Sequence, residues 1–119
     1  MLREAVVRMT AGLREYDSLG RFGGEEFLAV LPGCDEGAAE TVAERMRQLV
    51  SREPIAAGRE AIAITVSLGI AAQLPGERIP ADELLRRVDK ALYAAKARGR
   101  DRVERASDVP TRAYPALSR

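Results

Sequence analysis

The sequence predicts an α/β fold of the α+β kind, with helices packed around strands. Three observations carry that prediction. Two apolar segments flank the pair Gly23-Gly24, the pattern of a β-hairpin closed by a tight two-residue turn. Over residues 61–72, Ile62, Ile64, Val66, Leu68 and Ile70 alternate with small residues, the period of a strand. Three further stretches repeat apolar residues at helical spacing.

The first of these spans residues 2–15, where Leu2, Val6, Met9 and Leu13 share one helix face. The hairpin follows. Glycine accepts the positive φ that primed turns demand, and Glu25 and Glu26 open the second strand directly after the turn. In that strand Phe27, Ala29 and Leu31 face one side, Leu28 and Val30 the other. Pro32-Gly33 ends it, and Asp35 is a good N-cap for the second helix. That helix has Ala39, Val42, Met46 and Leu49 as its apolar stripe and closes before Pro54. The 61–72 strand places bulky residues on one face, predicting helices against its large side. After a loop with Pro75, Gly76 and Pro80, the last helix covers 81–98, with Leu84, Leu85, Val88, Leu92 and Ala95 inward and Gly99 at C′. Residues 104–119 carry no periodicity and read as a flexible tail.

Composition narrows the chemistry. At 119 residues, 46% hydrophobic and 31% charged, the chain is one globular domain with a modest core. A net charge of +1 gives no basis for a nucleic-acid or membrane surface. There is no histidine, so Ser-His hydrolysis and histidine metal sites are excluded, and nothing activates the single cysteine, Cys34. One cysteine forms no internal disulfide, and no apolar run approaches the ~20 residues of a membrane span, so the expected setting is the cytoplasm.

The two acids beside the turn need a reason. At ~4 Å, two like charges cost roughly 1 kcal/mol in water and about 4 kcal/mol at a protein surface. A divalent cation would offset that cost, and Mg²⁺ takes a carboxylate or two together with substrate phosphates. The whole string Phe22-Gly23-Gly24-Glu25-Glu26-Phe27 resembles the signature of the GGDEF diguanylate cyclase family, in its GGEEF form. Other blocks resemble the same family in order. Arg14 and Asp17 match its RxxD motif at the usual spacing from Gly23, although an Arg and an Asp three apart also read as a solvated pair. The 43–47 run resembles the family's second helix and 65–71 a strand of its central sheet. The 89–103 block resembles its D-x-A-L-Y-x-A-K-x-x-G-R-N segment, departing at Asp101, where the family usually has Asn; Val88 stands where it usually has Ala.

The resemblance covers roughly residues 2–103 and implies a palm-like sandwich, a mostly antiparallel sheet flanked by helices. The family's first central strand, with an acidic metal ligand and a following Asn and Asp for guanine, has no counterpart in this sequence. The expected organisation is therefore a GGDEF domain over 1–103 without that strand, then the tail. The implied reaction condenses two GTP into cyclic di-GMP and two pyrophosphates, with two domains meeting face to face as a homodimer, at least transiently. Glu25 and Glu26 would be catalytic and hold Mg²⁺ or Mn²⁺, Gly23 and Gly24 would admit the phosphates, and Lys96 and Arg100 would bind them. For Lys96 and Arg100, complementing the helix dipole is the competing reading, and it is the preferred one for Arg98 and Arg102. Arg14 and Asp17, with Arg45 completing the site from a neighbouring domain, would form an inhibitory site for cyclic di-GMP. The alternative is a catalytically inactive cyclic di-GMP-binding module or a truncated remnant, because two adjacent carboxylates are thin support for two-metal phosphoryl transfer.

Overall fold

The computed structural model describes residues 2–109. In chain order the elements are α1 (Leu2–Ala11), β1 (Ser18–Gly23), β2 (Glu26–Val30), α2 (Glu36–Ser51), β3 (Ile55–Ala57), β4 (Glu60–Ile62), β5 (Leu68–Ile70), α3 (Ala81–Ala97) and β6 (Val103–Arg105). A single 3₁₀ turn, Ala106–Asp108, follows β6.

Helix α2 is the organising element. Asp35 caps it as expected, its carboxylate accepting from the Ala38 N–H at 2.7 Å. Ala39, Val42, Ala43, Met46 and Val50 are buried along its face, with Val50 completely enclosed. Met9 of α1 joins Val42, Met46 and Val50 in the main cluster, onto which Leu13, Leu19, Phe27, Ile64, Val66 and Leu68 pack. Fully burying a valine stabilises by ~1.5–3 kcal/mol, so this cluster is what fixes α1 and the hairpin on α2. Arg8 adds a polar clasp, donating to the carbonyl oxygens of Val50 at 2.8 Å and of Glu53 at the α2 C-terminus.

Helix α1 is shorter than the predicted 2–15. Gly12 N–H and Leu13 N–H bond three residues back, to Met9 and Thr10, a tightened last turn. Gly12 is buried, and a Cβ there would stand 3.0 Å from Met46 Cγ, so the α1–α2 contact needs glycine where a helix would prefer alanine. The hairpin also differs in register. Gly23 pairs with Glu26, and the loop is Gly24-Glu25, with only Gly24 at positive φ (51°). The register shifts between Arg21 and Gly23, and this bulge moves the turn one residue on from Gly23-Gly24. Glu25 is therefore a turn residue, and Glu26 alone opens β2.

The predicted 61–72 strand is divided. Its start, β4, pairs with β3 in an antiparallel hairpin, and its middle, 63–67, has no ladder partner among the described residues. Its end, β5, runs parallel to β6. The alternation still has its packing meaning, since Ile64, Val66 and Leu68 lie on the α1–α2 cluster. The small side receives α3: a Cβ on Gly69 would stand 2.7 Å from the Val88 carbonyl oxygen and from Ala91 C. That close approach explains why the buried face of α3 is Ala91, Ala94 and Ala95, with Lys90, whereas Leu84, Leu85, Val88 and Leu92 are only half-buried.

The architecture is mixed α/β, as expected, but its strands form three two-stranded sheets among the described residues: two antiparallel hairpins and the parallel β5–β6 pair joined through α3. The tail expected from residue 104 is corrected in part. Glu104 and Arg105 lie in β6, and Ala106 and Val109 are buried. The remainder of that tail, 110–119, lies outside the described residues.

Candidate functional site

Two loops hold the candidate residues at the hairpin tip and in the 89–103 block. The first is the hairpin tip, with exposed Gly23, Gly24 and Glu25 and half-buried Glu26. The second is the end of α3. There Arg98 N–H bonds to Ala94 O and Arg100 N–H to Ala95 O, both at 2.9 Å, with Gly99 at φ 122°. This is the six-to-one closure of a Schellman turn around a glycine at C′. The fold brings the two loops together: Lys96 Nζ, on the last turn of α3, lies 3.7 Å from Glu26 Oε2. A half-exposed cation thus faces a carboxylate at a tip whose glycines leave open space, since a Cβ at Gly23 or Gly24 would meet nothing within 4 Å. Among the described residues no three acidic, cysteine or histidine side chains converge as a metal cage. The acidic donors here are hard carboxylate oxygens at the hairpin tip.

The other cations of the block separate. Arg98 pairs with Glu104 at 2.7 Å and Arg102 with Glu104 at 3.7 Å, so both lean on β6. Arg100 is exposed, and its guanidinium has no hydrogen bond or ion pair among the described residues.

Arg14, Asp17 and Arg45 also converge. Arg14 grips Asp17 through Nε (2.9 Å) and Nη2 (2.7 Å), and Asp17 Oδ2 accepts from the Arg14 N–H at 2.7 Å. The Asp17 side chain is fully covered, while that of Arg14 remains 28% exposed. Hydrogen bonding from Arg14 holds the Asp17 carboxyl below the usual range against the opposing effect of burial, and the charge of Arg45 pulls the same way. Arg45 is anchored to the Gly12 carbonyl oxygen at 2.9 Å, and Arg14 also donates to Pro32 O at 2.9 Å. The motif therefore has a structural role, closing the α1–β1 turn.

A model of the family described as "Diguanylate cyclase, GGDEF domain" matches residues 1–102. The chain belongs to the GGDEF family. It is similar to response regulator PleD of Caulobacter vibrioides, 40% identical over 105 residues, covering 87% of this chain and 23% of PleD. It is also similar to diguanylate cyclase DgcP of Pseudomonas aeruginosa, 38% identical, covering 85% of this chain and 16% of DgcP. The chain thus spans a quarter or less of the length of these two relatives. Among solved structures, the GGDEF domain of DgcB from Caulobacter crescentus in complex with c-di-GMP superposes with a TM-score of 0.82 at 32% identity, covering 90% of this chain and 63% of that one. Diguanylate cyclase SiaD in complex with its activator SiaC, from Pseudomonas aeruginosa, gives 0.80 at 38%, covering 87% and 39%.

In this GGDEF domain two charged residues that the sequence pattern did not single out are held by the fold. Arg47 is held by Glu44 and by Asp101; the only local signal is a carboxylate three residues earlier. Lys90, half-way along α3, is the one charged residue buried as a whole among the described residues. An open groove of about 810 Å³ along α2, lined by Thr41, Glu44, Arg45, Arg47, Asp101 and Arg102 among others, includes neither Glu26 nor Lys96. No described helix is long and apolar enough to cross a membrane.

Proposed function

We propose that this chain supplies the nucleotide-binding half-site of a diguanylate cyclase, which condenses two GTP into cyclic di-GMP in a transient homodimer. The approach of Lys96 to Glu26 is the observation that carries the reading. It pairs a phosphate-binding cation with a carboxylate able to take a proton, beside glycines that let a triphosphate come close. Each 3′-oxygen forms a bond to the α-phosphorus of the other nucleotide as the bond to pyrophosphate breaks, and Glu26 receives the hydroxyl proton. Lys96 and Arg100 hold the phosphates. Glu25 and Glu26 would hold Mg²⁺ or Mn²⁺: with no third acid beside them among the described residues, they suit an ion bound jointly with substrate phosphates, whose charge it would neutralise. Replacing Glu26 with Gln tests this. Cyclic di-GMP and pyrophosphate formation should fall by at least ~10²-fold, the scale of a lost acid–base group, with GTP still bound. Unchanged turnover would remove Glu26 from the chemistry.

A second function, product inhibition, is supported by the convergence of Arg14, Asp17 and Arg45. Guanidinium forks suit phosphate oxygens and guanine acceptors. Calorimetry with cyclic di-GMP should give binding that Arg14→Ala abolishes. Binding without turnover would instead favour a cyclic di-GMP-binding module, and no heat at all would remove the site.

A further inference from the structure

The loop that presents Arg100 is bent in a way its residues resist. Arg100 (φ 63°) and Asp101 (φ 49°) are consecutive, neither is glycine, and both occupy the left-handed region. Asp tolerates that region because its short side chain bonds locally, but Arg has no such compensation. Such a conformation persists only where surrounding contacts impose it. Most of the contacts here act on backbone: Arg100 N–H to Ala95 O (2.9 Å), Asp101 N–H to Ser67 Oγ (3.1 Å) and Leu68 N–H to Arg102 O (2.9 Å). Besides Ser67, a second side chain reaches in, and among the described residues it alone grips the Asp101 carboxylate. Arg47 of α2 donates from Nη1 to Asp101 Oδ1 at 2.9 Å.

Arg47 is itself aimed. Glu44 takes its other edge through two 2.7 Å bonds, Nε to Oε1 and Nη2 to Oε2, leaving Nη1 directed at Asp101. The arrangement is relatively sheltered, with the Arg47 side chain 21% exposed. It keeps the guanidinium firmly charged, since the bonds it donates to Glu44 and then to Asp101 raise its pKa. One consequence follows for the neighbouring Arg100. The tie resists relaxation of the left-handed pair, which would swing the Arg100 side chain away.

We propose that Arg47 is a positioning residue for Arg100, acting through Asp101 to set the direction of the Arg100 side chain. This rests on the role of Arg100 in holding GTP phosphates. It adds a residue of α2 to the determinants of nucleotide affinity.

The test is a set of GTP titrations by calorimetry, in the presence of Mg²⁺, on the whole chain and four variants: Arg100→Ala, Arg47→Ala, Arg47→Ala with Arg100→Ala, and Asp101→Ala. Arg100→Ala should weaken GTP binding about tenfold, the scale of one charge-assisted hydrogen bond. Arg47→Ala and Asp101→Ala should each weaken it several-fold. The double variant should be no weaker than Arg100→Ala alone, because Arg47 acts through the side chain already removed. If Arg47→Ala does not fold, Asp101→Ala, an exposed site on the other side of the same bond, carries the comparison. Equal losses from Arg47→Ala with and without Arg100 would overturn the proposal, since that is what a general structural defect gives. So would full affinity in both Arg47→Ala and Asp101→Ala while Arg100→Ala is weak. Absence of GTP binding in the parent, or full affinity in Arg100→Ala, would instead overturn the phosphate-binding reading beneath it.

Discussion

Gly69→Ala is the substitution that tests most directly how the fold positions the site. Adding a Cβ brings it against the backbone of α3, 2.7 Å from Ala91 C and the Val88 carbonyl oxygen and closer still to Leu92 N. Ordinary contacts begin near 3.4 Å, so the helix must retreat from β5 along its centre. A flexible side chain could turn aside, but a helix backbone cannot, so the cost belongs at the upper end of the ~1–3 kcal/mol for overpacking. Against this stands about 0.4–1 kcal/mol gained because alanine restricts the unfolded chain more than glycine. Gly69 is not among the positive-φ residues, so that gain applies in full. The net loss is roughly 1–2.5 kcal/mol, or about 4–10 °C in Tm for a domain near 100 residues. Gly20→Ala is the control: its Cβ would meet nothing within 4 Å and its φ is not positive, so its Tm should hold or rise slightly. Both are read by circular dichroism melts of the purified chain. If Gly69→Ala melts with Gly20→Ala, the close β5–α3 approach is wrong, and with it the placement of Lys96 opposite Glu26.

Two other perturbations follow from the same contacts. Asp17→Asn removes a carboxylate whose pKa is lowered by Arg14, so the stability it confers is present above the ordinary carboxylate value near 4 and lost as pH falls through the folded value. The variant should melt below the parent at pH 7, and the gap should close in melts taken below pH 3; a gap independent of pH would show that ionisation plays no part. Asp35→Ala should cost ~1 kcal/mol, about 4 °C in Tm, through loss of the α2 cap, and Asp35→Asn should recover most of it.

What could be read from the sequence was what is local. The cap at Asp35, the glycine closing α3 and the glycines of the hairpin each occupy a position whose backbone chemistry selects few residue types. Three-residue strands defeat pattern reading because they hold barely one period of alternation, and β3 and β6 are of that length. The middle of the 61–72 run alternates well enough, yet a ladder needs a neighbour, and residue pattern does not supply one. The buried face of α3 was misread for a related reason: leucine outranks alanine in hydrophobicity, but a glycine on the facing strand admits only the small residues to the closest contact. At the site, local motifs named Glu26 and Lys96 separately, and only the fold brings them together. The Arg47–Asp101 bridge joins residues 54 apart and had no local signature.

Helix α2 gives those separate motifs a common frame. Arg45 and Arg47 are two residues apart and both line the open groove along α2, yet each is tied to a different neighbour. Arg45 reaches the Gly12 carbonyl at the end of α1, beside Asp17, while Arg47 reaches Asp101 in the loop carrying Arg100. Between those directions the same helix buries Val42, Ala43, Met46 and Val50. Packed interiors transmit displacement because they have little free volume to absorb it. A ligand that drew Arg45 away from Gly12 would therefore act on a rigid element that also holds the loop carrying Arg100. Distance alone does not make such coupling, because a ligand shifts an equilibrium only by its differential affinity for two arrangements. The Arg45–Gly12 bond supplies the contact that such a ligand would have to exchange. GTP affinity measured with and without cyclic di-GMP in an Arg45→Ala variant is where that exchange becomes visible.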